Sequence, residues 1–106
     1  MDTPKVLTRD EAIKIVREYK KIISPRFNGK AKVLMYGSYS KGNANPWSDI
    51  DVAVVVPKID EDKWLETSVA LGNDSDKVSL LIEPVLMSEE HWSPLYDDVM
   101  QTGIMV

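Results

Sequence analysis

Five consecutive apolar residues, Val52-Ala53-Val54-Val55-Val56, constrain this 106-residue chain more than any other feature. Such a run does not alternate between a dry face and a wet one, so it reads as a strand buried on both sides. Asp49 and Asp51 alternate with Ile50 just ahead of it, and Pro57 stops it. The strand therefore spans Asp49 to Val56 and is central in its sheet.

The flanking sequence supplies covering helices. Thr8-Arg9-Asp10-Glu11 reads as a capping box, in which the Thr8 hydroxyl accepts from the Glu11 amide and the Glu11 carboxylate reaches back. Beyond it Ala12, Ile13, Val16, Tyr19, Ile22 and Ile23 recur at three- and four-residue steps, an amphipathic helix of about four turns. Ser24-Pro25 ends it, because the residue before proline is pushed out of helical geometry. Asn28-Gly29-Lys30 is a turn, and Ala31 to Tyr36 a short buried strand. Gly37 to Ser48 is mostly loop with room for one helical turn. Asp60 caps a helix expected to run to Leu71 and stop at Gly72-Asn73. Lys77 to Met87 reads as a third strand, with Pro84 implying an edge or bulge. Ser93-Pro94 opens a last helix that Gly103 closes. The expectation is an α/β (α+β) fold, a small mixed sheet flanked by helices, as one domain over residues 1–106.

Composition excludes several function classes. The absence of cysteine removes disulfides, thiolate metal sites and cysteine nucleophiles. The apolar run is far short of the roughly 20 residues that span a bilayer. Met1-Asp2-Thr3-Pro4-Lys5 shows no apolar leader, so a cytoplasmic location is expected. Residues 1–32 carry nine Lys/Arg against four Asp/Glu, and residues 33–106 carry four against thirteen, for a net charge of −4. That balance argues against binding long nucleic acid. The basic segment is more simply the solvated face of the first helix than a phosphate footprint.

Chemistry concentrates between Gly37 and Asp51. Asp49 and Asp51, two apart on a strand, leave the same face, and no basic residue separates them. Like charges so held repel unless protonated or bridged by a cation, and their hard oxygens suit Mg²⁺ or Mn²⁺. Gly37-Ser38 directly follows a strand, where glycine lets the backbone turn sharply and the next amides, with the Ser38 hydroxyl, could donate to phosphate.

Gly37-Ser38, ten intervening residues, then Asp49-Ile50-Asp51 resembles the signature of DNA-polymerase-β-like nucleotidyltransferases. The flanks are similar too: an aliphatic strand before Gly37, Lys41-Gly42, Ser48 before the first aspartate, and Val52-Ala53-Val54-Val55 after it. The short chain looks like the minimal prokaryotic members, often encoded beside a helical HEPN-type partner. The resemblance implies a polymerase-β-like fold and transfer of a nucleoside monophosphate, AMP if ATP is the donor, with pyrophosphate leaving. It implies that Gly37 and Ser38 hold the β/γ-phosphates and that Asp49 and Asp51 bind two Mg²⁺ ions. Lys41 stands where many members carry arginine and would balance phosphate charge, and Ser48 would order the loop.

Relatives place a third carboxylate on a later strand. Its usual position falls near Ser79, a departure from the pattern, and Glu83 is the acid within that strand on the same face. Glu83 is therefore the expected third ligand, with Asp76 a weaker candidate. Trp64 and Trp92 are expected to pack at helix starts and His91 to be solvent-exposed, while for Trp47, beside Pro46 in the loop, stacking on a base or a partner is the less favoured reading. Asn73-Asp74-Ser75 fits a glycosylation sequon but is discounted, because no leader accompanies it. Acceptor specificity would come from a partner, including an antitoxin relation to a HEPN toxin, or from homo-oligomerisation at the edge near Pro84. The competing reading is a weak or inactive nucleotide-binding module that neutralises a partner by contact. A sugar-nucleotide transferase using Asp-X-Asp leaves Gly37-Ser38 unexplained.

Overall fold

The computed structural model describes residues 6–106. The expected lack of an apolar leader falls on residues 1–5, outside the described residues. Among the described residues no helix is long and apolar enough to cross a membrane.

The first helix, α1 (Arg9–Ile23), opens on the expected capping box: the Glu11 amide donates to Thr8 Oγ1 at 3.0 Å and the Thr8 amide to Glu11 Oε1 at 2.9 Å. A 3-10 turn over Ser24–Phe27 follows, ending on Asn28 in the left-handed region. Next come β1 (Lys32–Tyr36), the one-turn α2 (Ser38–Lys41), β2 (Ile50–Val56), α3 (Glu61–Asp76), β3 (Ile82–Ser88), α4 (Pro94–Thr102) and β4 (Ile104–Met105). The sheet order is β3-β2-β1-β4, with β1 antiparallel to β2 and β4, and β2 parallel to β3. A parallel pair needs a crossover, which α3 supplies.

The apolar run of β2 is explained by cover on both faces. Ile50, Val52, Val54 and Val56 join Ala12, Val16, Tyr19 and Leu71 in the larger core under α1 and α3. Ala53 and Val55 join Leu34, Tyr36, Met87 and Val99 in a smaller core under α4. The nine-residue α4 is the shorter cover, and the sheet face it shares carries Asp51 and Glu83 at its open end.

Four expectations require correction. The third helix does not stop at Gly72-Asn73 but continues to Asp76. Gly72 keeps ordinary negative φ, the Tyr19 hydroxyl donates to the Leu71 carbonyl at 2.9 Å, and Asp74 is anchored, so tertiary contacts carry the helix past its weak residues. At the other end Asp60 occupies the cap position, but its side chain makes no capping bond. The third strand begins at Ile82 rather than Lys77, because the amides of Lys77, Val78 and Ser79 bond back to the Asp74 and Ser75 carbonyls and prolong the turn. Pro84 is accommodated as expected, since β3 lies at the sheet edge. Trp64 packs against the larger core, whereas Trp92 is 68% exposed and does not pack as expected.

Asp74 is almost wholly buried and receives Arg26 through Nε at 2.6 Å and Nη2 at 3.2 Å, with Lys77 Nζ at 3.4 Å. The Arg26 hydrogen bond outweighs burial and holds the Asp74 carboxyl below the usual carboxylate range. A depressed folded pKa gives stability that is fully present above the unfolded value of about 4 and disappears as pH falls through the folded value. Asp74→Ala is expected to cost about 1–3 kcal/mol in urea unfolding at pH 7, since Arg26 stays half in water. The gap between variant and wild type should close as acid protonates Asp74; a gap independent of pH would assign the loss to packing alone.

Candidate active site

Strand pairing brings the separate parts of the loop motif together. Across the sheet Tyr36, Asp51 and Glu83 stand in register on β1, β2 and β3, in one row on the α4 side. Neighbouring strands lie about 4.8 Å apart, so Asp51 and Glu83 are immediate neighbours. Asp49 precedes β2 by one residue, exposed at the same end. Glu83 thus occupies the register position beside Asp51, whereas Ser79 lies in the turn before β3 and Asp76 at the end of α3.

Gly37 links this row to the phosphate-type turn. Its φ of 73° and ψ of −146° place it where side chains are rarely tolerated. A Cβ there would collide with Asp51 Oδ2 and stand 3.2 Å from Asp51 Cγ, so only glycine allows the turn to lie on that carboxylate. From it α2 starts, with the Lys41 amide donating to the Gly37 carbonyl at 3.0 Å and the Ser40 hydroxyl to the same oxygen at 3.0 Å. Gly42, at φ 78°, closes α2.

The electrostatics are one-sided. Burial first, then the charges of Asp49 and Glu83, raise the Asp51 carboxyl above its ordinary value. Burial also raises the Tyr36 phenol, with Asp51, Asp98 and Glu83 adding to the effect. Among the described residues none of Asp49, Asp51 and Glu83 makes an ion pair within 4.0 Å. No three His, Cys, Asp or Glu among the described residues converge tightly enough to hold a metal by themselves. Such a site still suits Mg²⁺, which is commonly held by one or two carboxylates together with substrate phosphates.

The remaining motif residues have separate surroundings. Ser48 Oγ accepts from the Asn45 amide at 2.9 Å and Asn45 Oδ1 from the Trp47 amide at 2.9 Å, so Ser48 orders the loop in the structure. Lys41 Nζ lies 3.4 Å from Asp98 Oδ2 on α4. Trp47, two residues before Asp49 in the loop, is 79% exposed. His91 is exposed, as expected. Sequence reasoning passed over Tyr36, adjacent to Gly37 yet read only as the end of a strand, and Asp98 on the last helix.

Comparisons with known proteins bear on the family and the fold. A candidate protein adenylyltransferase of Methanocaldococcus jannaschii, MJ0141, is 30% identical over 98 residues, covering 91% of this chain and 99% of that protein. A candidate nucleotidyltransferase structure from Sulfolobus solfataricus superimposes with a TM-score of 0.68 at 17% identity, over 98% of this chain and 90% of that one. A toxin–antitoxin structure with AMP-PNP superimposes with a TM-score of 0.50 at 24% identity, over 93% of this chain and 72% of that one. The nucleotidyltransferase domain model matches residues 16–102, which takes in the glycine turn, both aspartates and Glu83. By this match and by its helix-flanked mixed sheet, the chain belongs to the nucleotidyltransferase domain family.

Proposed function

We propose that residues 1–106 form one transferase unit that moves a nucleoside monophosphate, AMP from ATP, onto an acceptor hydroxyl. The acceptor oxygen bonds to the α-phosphorus as the bond to the bridging oxygen breaks, pyrophosphate leaves, and the hydroxyl proton passes to a carboxylate. The observation that carries this reading is the packing of the Gly37 turn directly on the Asp51 carboxylate, with Glu83 in register beside it.

In this reading the turn amides and the Ser38 hydroxyl hold the β/γ-phosphates, and Lys41 exchanges Asp98 for phosphate. Ser48 keeps the loop in shape. Asp49 and Asp51 would hold Mg²⁺, two ions in all, with Glu83 as the third carboxylate, ligand or proton acceptor. Bound Mg²⁺ supplies charge stabilisation for the attacking and leaving oxygens. The identity with MJ0141 across nearly its whole length supports ATP as donor and a protein as acceptor. The toxin–antitoxin neighbour with AMP-PNP supports a nucleotide as donor and a toxin protein as partner; in this reading that partner is a HEPN-type helical protein, in the cytoplasm, with pairing between copies as the other route to specificity.

One observation favours a second reading. The three carboxylates do not converge into a cage, which suits a module that binds nucleotide and neutralises its partner by contact. Glu83→Gln separates the two. With α-labelled ATP and a HEPN-type helical protein as acceptor, labelling is expected to fall about 100-fold while magnesium–ATP affinity in calorimetry stays near wild type. Undiminished labelling would remove Glu83 from the site. A wild-type protein that binds magnesium–ATP, releases no pyrophosphate and still neutralises the partner would establish the contact reading instead.

A further inference from the structure

The one-turn α2 is too short to hold itself together, since a helix nucleus fixes several residues for a single hydrogen bond. Its carbonyls are nonetheless almost fully engaged. The Gly37 carbonyl accepts from Lys41, and that of Ser38 from Gly42 and Asn43. The next two, Tyr39 and Ser40, receive the guanidinium of Arg9, the first residue of α1: Nε lies 3.3 Å from the Tyr39 oxygen and Nη2 3.0 Å from that of Ser40. A Cβ at Gly42 would make only an ordinary 3.4 Å contact with Nη2, so the positive φ of 78° rather than the guanidinium calls for glycine there. Tyr39 itself is buried in the larger core, so the turn is held from its side-chain face and from its carbonyl end at once.

We infer that Arg9 is a positioning residue for nucleotide binding: it clamps the carbonyl end of α2 so that the Gly37 turn at the other end keeps its seat against the Asp51 carboxylate. The planar fork reaches two successive carbonyls, which a lysine ammonium would cover less well. The inference rests on the phosphate role proposed for Gly37 and Ser38, and two independent measurements separate the claims.

The first is amide hydrogen exchange on the nucleotide-free protein. Arg9→Gln should speed exchange at Lys41, Gly42 and Asn43 while β1 and β2 keep wild-type protection. Unchanged exchange at those three amides would overturn the clamp whether or not the protein is a transferase. The second is steady-state transfer with magnesium–ATP. Arg9→Gln should raise KM about tenfold, the scale of one charge-assisted hydrogen bond, with kcat within about twofold of wild type. Arg9→Lys should fall between the two. Faster exchange with an unchanged KM would overturn the positioning role, as would kcat falling with KM constant. A wild-type protein that binds no nucleotide would instead defeat the transferase reading, leaving the exchange result to judge the clamp.

Discussion

Asp51→Asn is expected to abolish transfer of the α-phosphate label while leaving the protein at least as stable as wild type. The exchange removes one charge, changes little in volume and keeps β2 buried as before. In the transferase reading Asp51 is a metal ligand that helps hold the reacting phosphate charge, and its loss removes several kcal/mol from the transition state, on the order of 10³-fold in rate. Stability should move the other way. Burial and the charges of Asp49 and Glu83 raise the Asp51 carboxyl, and a raised folded pKa means that the ionised group opposes folding above its unfolded value. Removing that charge at pH 7 should therefore leave the thermal midpoint unchanged or higher, and the advantage should vanish in acid, where wild-type Asp51 is protonated. Wild-type labelling in the variant would defeat the ligand assignment. A lower midpoint at pH 7 would contradict the uncompensated charge cluster.

Gly37→Ala is expected to damage stability and activity together. The backbone there adopts a positive φ that costs a side chain strain, and the new methyl would collide with the Asp51 carboxylate. The cost should be about 2–4 kcal/mol, roughly 10–20 °C in midpoint for a domain of this size. Labelling should fall below detection because relieving the contact displaces Asp51. A double-mutant cycle isolates the collision: in an Asp51→Ala background the same change should cost only the backbone strain, about 1–2 kcal/mol. Equal costs in both backgrounds would show that the carboxylate is not the obstacle.

The readable parts of the sequence were those whose signals are local. The Thr8–Glu11 capping box, the doubly buried β2 and the Ser93-Pro94 helix start each depend on residues within a turn or a strand of one another. Elements governed by distant contacts were misread. Tyr19 and Arg26 carry α3 past Gly72, and nothing near Gly72 announces them. The two-residue β4 exists through its ladder with β1, at Leu34 and Met35. In the site, the glycine turn and the aspartate pair were legible from spacing. Glu83 was chosen by face counting in a strand whose start was placed too early, and its register with Asp51 became visible only through β2–β3 pairing. Arg9 was read as the second residue of a capping box, because its carbonyl partners lie in α2, far along the chain.

The parallel ladder between β2 and β3 has a further consequence for when competence arises. Its partners are distant in sequence, and contacts of that kind are slow to close during folding. A nascent or partly folded chain can display the glycine turn and both aspartates on a β1–β2 hairpin while the glutamate is still unplaced. In the transferase reading, chemical competence then waits for that pairing and is absent from any fragment lacking the crossover.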